Sequence, residues 1–372
     1  MSRSVGIVKS KIFHCKDELS LTCGQSLKEF ELVYETYGKL NSKKNNAILI
    51  PHALSGNHHV AGKYHKADKY PGWWDNMVGP GKPIDTNQYF VIGVNNIGGN
   101  DGSTSAKSMN PKTKKIWGSA FPIVTVQDWV SSQKKLIEHL GIDKLYAIVG
   151  GSLGGMQAIQ WSIAYPSSVK KILCIAAAPS LTAQNIAFNE IARQAILQDE
   201  DFFKGDFYQH NTKPKKGLRI ARMLGHITYL SNDAMDKKFG RKLIQGKYNY
   251  NFQKNYEIES YLNYQGDKFA SSFDANTYLR MTKALDYFDL EKIYKKKLSK
   301  VCSKIKADYL VISFTSDWRF PPARSKEIVT ALLDNNINVT YAEIKAETGH
   351  DAFLLHNDHY HQLISNYLRS RT

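Results

Sequence analysis

Leu145-Tyr146-Ala147-Ile148-Val149 runs straight into Gly150-Gly151-Ser152-Leu153-Gly154, and then into Gly155-Met156-Gln157-Ala158-Ile159-Gln160-Trp161-Ser162. The first segment is an apolar, β-branched run of strand length, and the last is free of helix breakers after its glycines. Between them lies G-x-S-x-G in the context that gives the pattern meaning, a sharp strand-to-helix turn. The turn forces its serine into strained backbone angles, and a Cβ at Gly150 or Gly154 would collide with the neighbouring strand or helix. It lifts the Ser152 hydroxyl out of the fold and aims the first helical N–H groups at it. The pentapeptide alone is also compatible with a glycine-rich turn holding an incidental serine; the flanking strand and helix favour a nucleophile.

Composition narrows the alternatives. At 372 residues, 42% hydrophobic and 12% aromatic, the chain has material for a large core, in one elaborated domain or a domain with an insertion. No apolar run approaches the ~18 residues of a membrane span, and Met1-Ser2-Arg3-Ser4-Val5-Gly6 lacks the apolar stretch of a secretory signal. Cys15, Cys23, Cys174 and Cys302 are widely spaced and form no CxxC pair, so neither a disulfide framework nor a zinc site is expected. A reduced, cytoplasmic setting follows as the expectation. The net charge of +16 comes from scattered lysines and short clusters such as Lys213-Pro214-Lys215-Lys216 and Lys295-Lys296-Lys297. Without a nucleic-acid-binding motif, that charge is read as a surface compatible with anionic substrates rather than as a nucleic-acid interface.

Outward from the serine, the chain alternates strands and helices. Leu19 to Cys23 and Phe30 to Tyr37 read as an antiparallel pair opening a mostly parallel sheet; Asn46 to Pro51, Tyr89 to Val94 and Lys171 to Ala176 read as buried strands. Val124 to Leu140 reads as an amphipathic helix. Residues 181 to 300 break the rhythm, with helices expected at Ala183 to Leu197, Leu218 to Leu230 and Ala275 to Tyr287. Strands resume at Ala307 to Phe314 and Val339 to Ile344, and a terminal helix is expected from Ala352 to Leu368. The expected fold class is therefore α/β, a mostly parallel central sheet built from residues 1–180 and 301–372 with a helical lid, 181–300, inserted.

Both resumed strands run into chemically distinctive residues, Asp317 and His350. An α/β-hydrolase triad arrives in the order serine, acid, histidine, each at the C-terminal end of a strand. Ser152, Asp317 and His350 fit that order, and the helical insertion accounts for the long gap before Asp317. Separately, Asp317 could be a helix cap and His350 a loop histidine; their joint placement favours the triad. The loop His52-Ala53-Leu54-Ser55-Gly56-Asn57-His58-His59 follows an early strand, where a second oxyanion donor is expected; Leu54 and Leu153 are the backbone candidates. The three histidines match no ligand spacing, and no metal is expected. A triad implies acyl transfer without naming the acceptor.

His52-Ala53-Leu54-Ser55-Gly56, Pro71-Gly72-Trp73-Trp74, Gly150 to Gln157, Gln184-Asn185-Ile186-Ala187-Phe188-Asn189-Glu190, Asp317-Trp318-Arg319-Phe320 and Gly349 to Phe353 resemble the homoserine O-acyltransferases of the α/β-hydrolase superfamily, over residues 12 to 370. The resemblance implies acyl transfer from acyl-CoA to L-homoserine, on the way to methionine, through a ping-pong acyl-serine, in a homodimer joined through the lid. Acyl-CoA is then a co-substrate, and no further cofactor is implied. By position, the resemblance makes Arg222 the partner of the homoserine carboxylate and Asp351 the partner of its amino group. A zwitterion does need one cation and one anion in a dry pocket. Arg319 stands where acetyl-transferring members tend to carry an apolar residue; an arginine there suits the free carboxylate of succinyl-CoA, so succinyl transfer is expected. Acetyl transfer is the alternative, and a serine esterase or thioesterase a more distant one.

Overall fold

The computed structural model describes residues 3–370; the outermost two residues at each end, which the expected core included, lie outside them. Eight strands form one sheet: β1 (Lys11–Cys15), β2 (Phe30–Tyr37), β3 (Ala47–Pro51), β4 (Phe90–Val94), β5 (Leu145–Gly151), β6 (Val169–Ile175), β7 (Asp308–Phe314) and β8 (Val339–Ile344). Their spatial order is β1-β2-β4-β3-β5-β6-β7-β8. Only β2 runs antiparallel to its neighbours; the remaining pairs are parallel. The central strands read as continuous apolar runs because both of their faces are covered. Ile48 and Ile50 pack into one core layer and Leu49 into the other; Ala147 and Val149 face one way, Ile148 the other.

On one face lie α1 (Val126–His139), closed at its start by a Thr125–Asp128 capping box, and α2 (Leu153–Ala164). Trp129 and Trp161 fill the space beneath them. The opposite face is covered by the C-terminal helix and by Trp74, Phe314 and Tyr360. Between β6 and β7 the chain forms α3 (Ala183–Leu197), α4 (Lys215–Tyr229), α5 (Asn232–Lys238), α6 (Glu257–Ser272), α7 (Ala275–Tyr287), α8 (Leu290–Tyr294) and α9 (Leu298–Cys302), with α4 packed against both α3 and α6. Two more helices follow, α10 (Pro322–Leu333) and α11 (Asp358–Arg369).

Two expectations need correction. The antiparallel partner of β2 is β1, not Leu19 to Cys23. That segment forms a short ribbon with Ser26–Leu27, and its Thr22 amide and hydroxyl both donate to Asp128 at 2.8 Å, which draws it to the start of α1 instead. The terminal helix begins at Asp358 rather than Ala352, because Asn357 caps it through the Tyr360 amide at 3.0 Å while residues Gly349–Leu354 make a separate 3-10 turn. A further helix, α6, was not among those expected: its Gly266 lies so close to α4 that a Cβ there would stand 2.6 Å from the Arg219 side chain, and Tyr261 and Phe269 supply its larger contacts.

Close approach also governs the turn after β5. A Cβ on Gly154 would lie 2.3 Å from the Pro51 carbonyl oxygen at the end of β3, and one on Gly150 would lie 2.2 Å from the Gly154 oxygen. Neither obstacle is a flexible side chain. Gly154→Ala is therefore expected to destabilise the fold by about 1–3 kcal/mol through backbone displacement, read as a lower denaturant midpoint.

Candidate active site

Ser152 joins β5 to α2 at φ 56° and ψ −124°, a conformation rarely tolerated by a residue with a Cβ. Its amide donates to the Ile175 carbonyl at 2.8 Å, and its carbonyl accepts from Met156 at 3.1 Å, so sheet and helix each hold one side of the strained turn. Asp317 follows β7 and is 2% exposed. One carboxylate oxygen accepts from the amides of Arg319 (3.0 Å) and Phe320 (2.8 Å), leaving the other 2.7 Å from His350 Nδ1. His350 follows β8 and lies 2.8 Å from Ser152 Oγ through Nε2. A carboxylate on Nδ1 leaves Nε2 free to receive the serine proton.

The turn bearing His350 is pinned from several directions. Gly349 donates to Ser316 Oγ at 3.0 Å, the Trp74 indole to the Phe353 carbonyl at 3.0 Å, and Asn76 to the Leu354 carbonyl at 3.0 Å. The rings of Phe320 and Phe353 stand 5.1 and 5.5 Å from the imidazole. Ser152, His350, Leu54, Asp351 and Arg319 line one cavity, which Tyr229 of α4 and Leu285 of α7 close from the helical segment. Its volume is about 50 Å³, below the ~300–1,000 Å³ usual for ligand sites. Leu153 is the first residue of α2, where an amide has no intrahelical acceptor.

The structure brings Leu54, Asp351 and Arg319 to the cavity of the serine. Arg222 is not part of the cavity wall; its guanidinium lies 4.9 Å from the Phe269 ring centre and 6.0 Å from that of Tyr229. It remains close enough to act on Asp351, whose carboxyl is pushed up by burial and drawn partly back by the His350 and Arg222 charges. Arg319 is 6% exposed. Its guanidinium donates to Thr228 Oγ1 at 2.9 Å and Asn189 Oδ1 at 3.2 Å, over the Tyr229 ring at 5.3 Å. Thr228 and Tyr229 carried no signal in the sequence; Asn189 lay inside a quoted motif without a role. Of the three histidines after β3, His52 is wholly buried, while His58 and His59 face the buried Glu35 carboxylate at 3.7 and 3.1 Å.

A mostly parallel sheet in this order, with a serine at the turn after its fifth strand and acid and histidine after the seventh and eighth, defines an α/β-hydrolase-fold protein. The α/β-hydrolase-fold family model matches residues 46–357. A homoserine O-succinyltransferase of Dechloromonas aromatica is 56% identical over 368 residues, covering 99% of this chain and 98% of its own. The crystal structure of a Bacillus anthracis homoserine O-acetyltransferase superposes with a TM-score of 0.92 at 29% identity, covering 98% of both chains. Esterase E22 superposes with a TM-score of 0.89 at 31% identity, over 98% of this chain and 100% of its own. Within the superfamily, this chain belongs to the homoserine O-acyltransferase family.

The hydrogen-bonded chain from Asp317 to Ser152 makes a chemical prediction independent of substrate. Asp317→Asn should slow labelling of Ser152 by a phosphonylating reagent by orders of magnitude, toward the ten-thousandfold scale known for such a change in a serine protease (about 10⁴). Intact-mass kinetics measure the rate, and the unfolding midpoint reports whether the variant remains folded.

Proposed function

We propose that this chain transfers the succinyl group of succinyl-CoA to the hydroxyl of L-homoserine through an acyl-serine on Ser152, within methionine biosynthesis. The observation that carries the donor assignment is Arg319. It is a buried guanidinium on the cavity wall held by neutral oxygens, and among the described residues no carboxylate lies within 4.0 Å of it. A succinyl carboxylate would supply the missing anion, whereas an acetyl methyl would leave the cation uncompensated. The names of relatives more than 50% identical along nearly the whole chain support the same reading.

In this mechanism His350 removes the Ser152 proton as Oγ attacks the thioester carbonyl. The tetrahedral oxyanion forms between the amides of Leu54 and Leu153. Collapse breaks the C–S bond, and the proton held by His350 leaves with the sulfur as CoA thiol. His350 then takes the proton of the homoserine hydroxyl, whose oxygen attacks the acyl-serine; the second collapse returns the proton to Ser152 Oγ and releases O-succinylhomoserine. Asp317 orients the imidazole and stabilises its cation. Asp351 receives the homoserine ammonium, and Arg222, beside the Tyr229 ring, draws the homoserine carboxylate. Residues 181–300 act as a lid on the core, supported by the cavity-closing Tyr229 and Leu285. The assembly is a homodimer through that lid, working in the cytoplasm.

Purified enzyme given L-homoserine with equal succinyl-CoA and acetyl-CoA should yield mostly O-succinylhomoserine by mass. Arg319→Leu should reduce the succinyl preference by roughly ten- to a hundredfold, the equivalent of about 1.5–3 kcal/mol for a lost charge-assisted hydrogen bond. Mostly O-acetylhomoserine from the wild type would overturn the donor assignment, and full activity in Ser152→Ala would overturn the mechanism. Because burial raises the Asp351 carboxyl, its anion is lost at a higher pH than an ordinary aspartate's. The KM for homoserine should therefore climb as pH falls through that raised value, and this dependence should vanish in Asp351→Asn, whose KM stays high throughout.

A further inference from the structure

We infer that His52 is a positioning residue for acyl transfer, clamping the peptide between Ala53 and Leu54 so that the Leu54 N–H faces the oxyanion. The inference rests on the acyl-serine reading and deepens it at one wall of the site. The Ala53 carbonyl accepts twice, from His52 Nδ1 at 2.7 Å and from the Gly56 amide at 3.0 Å. No cis peptide bond occurs among the described residues, so the N–H of that peptide points away from its anchored carbonyl. Leu54 is a wall of the Ser152 cavity. Two acceptor contacts on the carbonyl both hold the plane and polarise its N–H toward an anion.

The imidazole is itself held from behind. Its Nε2 accepts the Asn96 amide at 3.1 Å, and with Nδ1 committed to a carbonyl the ring must be the neutral tautomer that donates from Nδ1. Complete burial agrees, lowering the imidazole to about 4. The His52 carbonyl accepts from Gln157 of α2 at 3.0 Å. Gln133 of α1 then donates to Gln157 at 2.7 Å and to Asn96 at 2.9 Å, and accepts from the Trp161 indole at 2.7 Å. This buried network fixes the loop after β3 to the helix that begins beside Ser152. The two oxyanion amides therefore share one support.

Paired substitutions separate this role from packing. Asparagine can present a donor where Nδ1 stands, and glutamine can present an acceptor where Nε2 stands. Acylation of Ser152 by a p-nitrophenyl ester, followed by the burst and by intact mass, needs the oxyanion site whatever the natural donor. His52→Ala and His52→Gln should slow acylation about a hundredfold, as does losing one oxyanion donor, with KM nearly unchanged. His52→Asn should restore most of the rate. Unfolding midpoints of all three variants show which are folded, and the Asn–Gln comparison decides if the alanine variant fails to fold. Wild-type acylation rates in folded His52→Gln, or rescue by glutamine rather than asparagine, would overturn the assignment. Absence of wild-type acylation at Ser152 would instead overturn the reading beneath it and the assignment with it.

Discussion

Everything at the site depends on how closely the first turn of α2 can approach the end of β3. Gly154 lets that turn lie against the Pro51 carbonyl, where a methyl group would sit 2.3 Å from oxygen. At the same turn Ser152 takes a positive φ, and Leu153 opens α2. A strained conformation of this kind costs of order 1–3 kcal/mol and persists only where its surroundings determine it. Here they do: β5 is paired on both sides, with β3 and β6, and the serine amide is held by the Ile175 carbonyl of β6. The strained turn is a consequence of a rigid sheet and a dense helix contact.

That geometry was legible in the sequence because its constraints are local. Glycines at 150 and 154 beside a serine, after a β-branched run, have few physical explanations, and the two later strands led directly to Asp317 and His350. The features that escaped were those decided by distant partners. Leu19 to Cys23 alternates as a strand should, yet Asp128, far along the chain, captures Thr22 and redirects it. α6 escaped because its buried positions are Gly266 and Ala270, while its larger apolar residues Ile258, Tyr261 and Phe269 are only half-buried. Thr228, which holds Arg319, is one threonine on a helix until the fold brings the two together.

Three buried arginines show why Arg319 is set apart. Arg193 is compensated by ion pairs with Glu190 and Asp286, both at 2.7 Å. Among the described residues Arg280 has no such partner, but its fork is occupied by the carbonyls of Gly118, Ser119, Phe121 and Asn276, and it serves as a clamp between α7 and the chain preceding α1. Arg319 makes two side-chain hydrogen bonds, both to neutral oxygens, and faces the cavity of Ser152. A guanidinium has five N–H donors, so capacity remains for a further acceptor. Burying a cation without an anion is costly; a substrate carboxylate that completes the site recovers part of that cost as donor selectivity.

The remaining question is why a serine, histidine and aspartate shared with esterases should deliver an acyl group to homoserine rather than to water. The triad cannot make that choice, since either hydroxyl can lose its proton to His350. Selection has to come from what stabilises the acceptor beside the acyl-serine. Asp351 stands next to His350 in sequence and on the same cavity wall, so an ammonium held there brings its own hydroxyl near the imidazole with little freedom left to lose. Water gains nothing from that carboxylate. In this reading, transfer differs from hydrolysis through one charged side chain, with the chemistry at Ser152 unchanged.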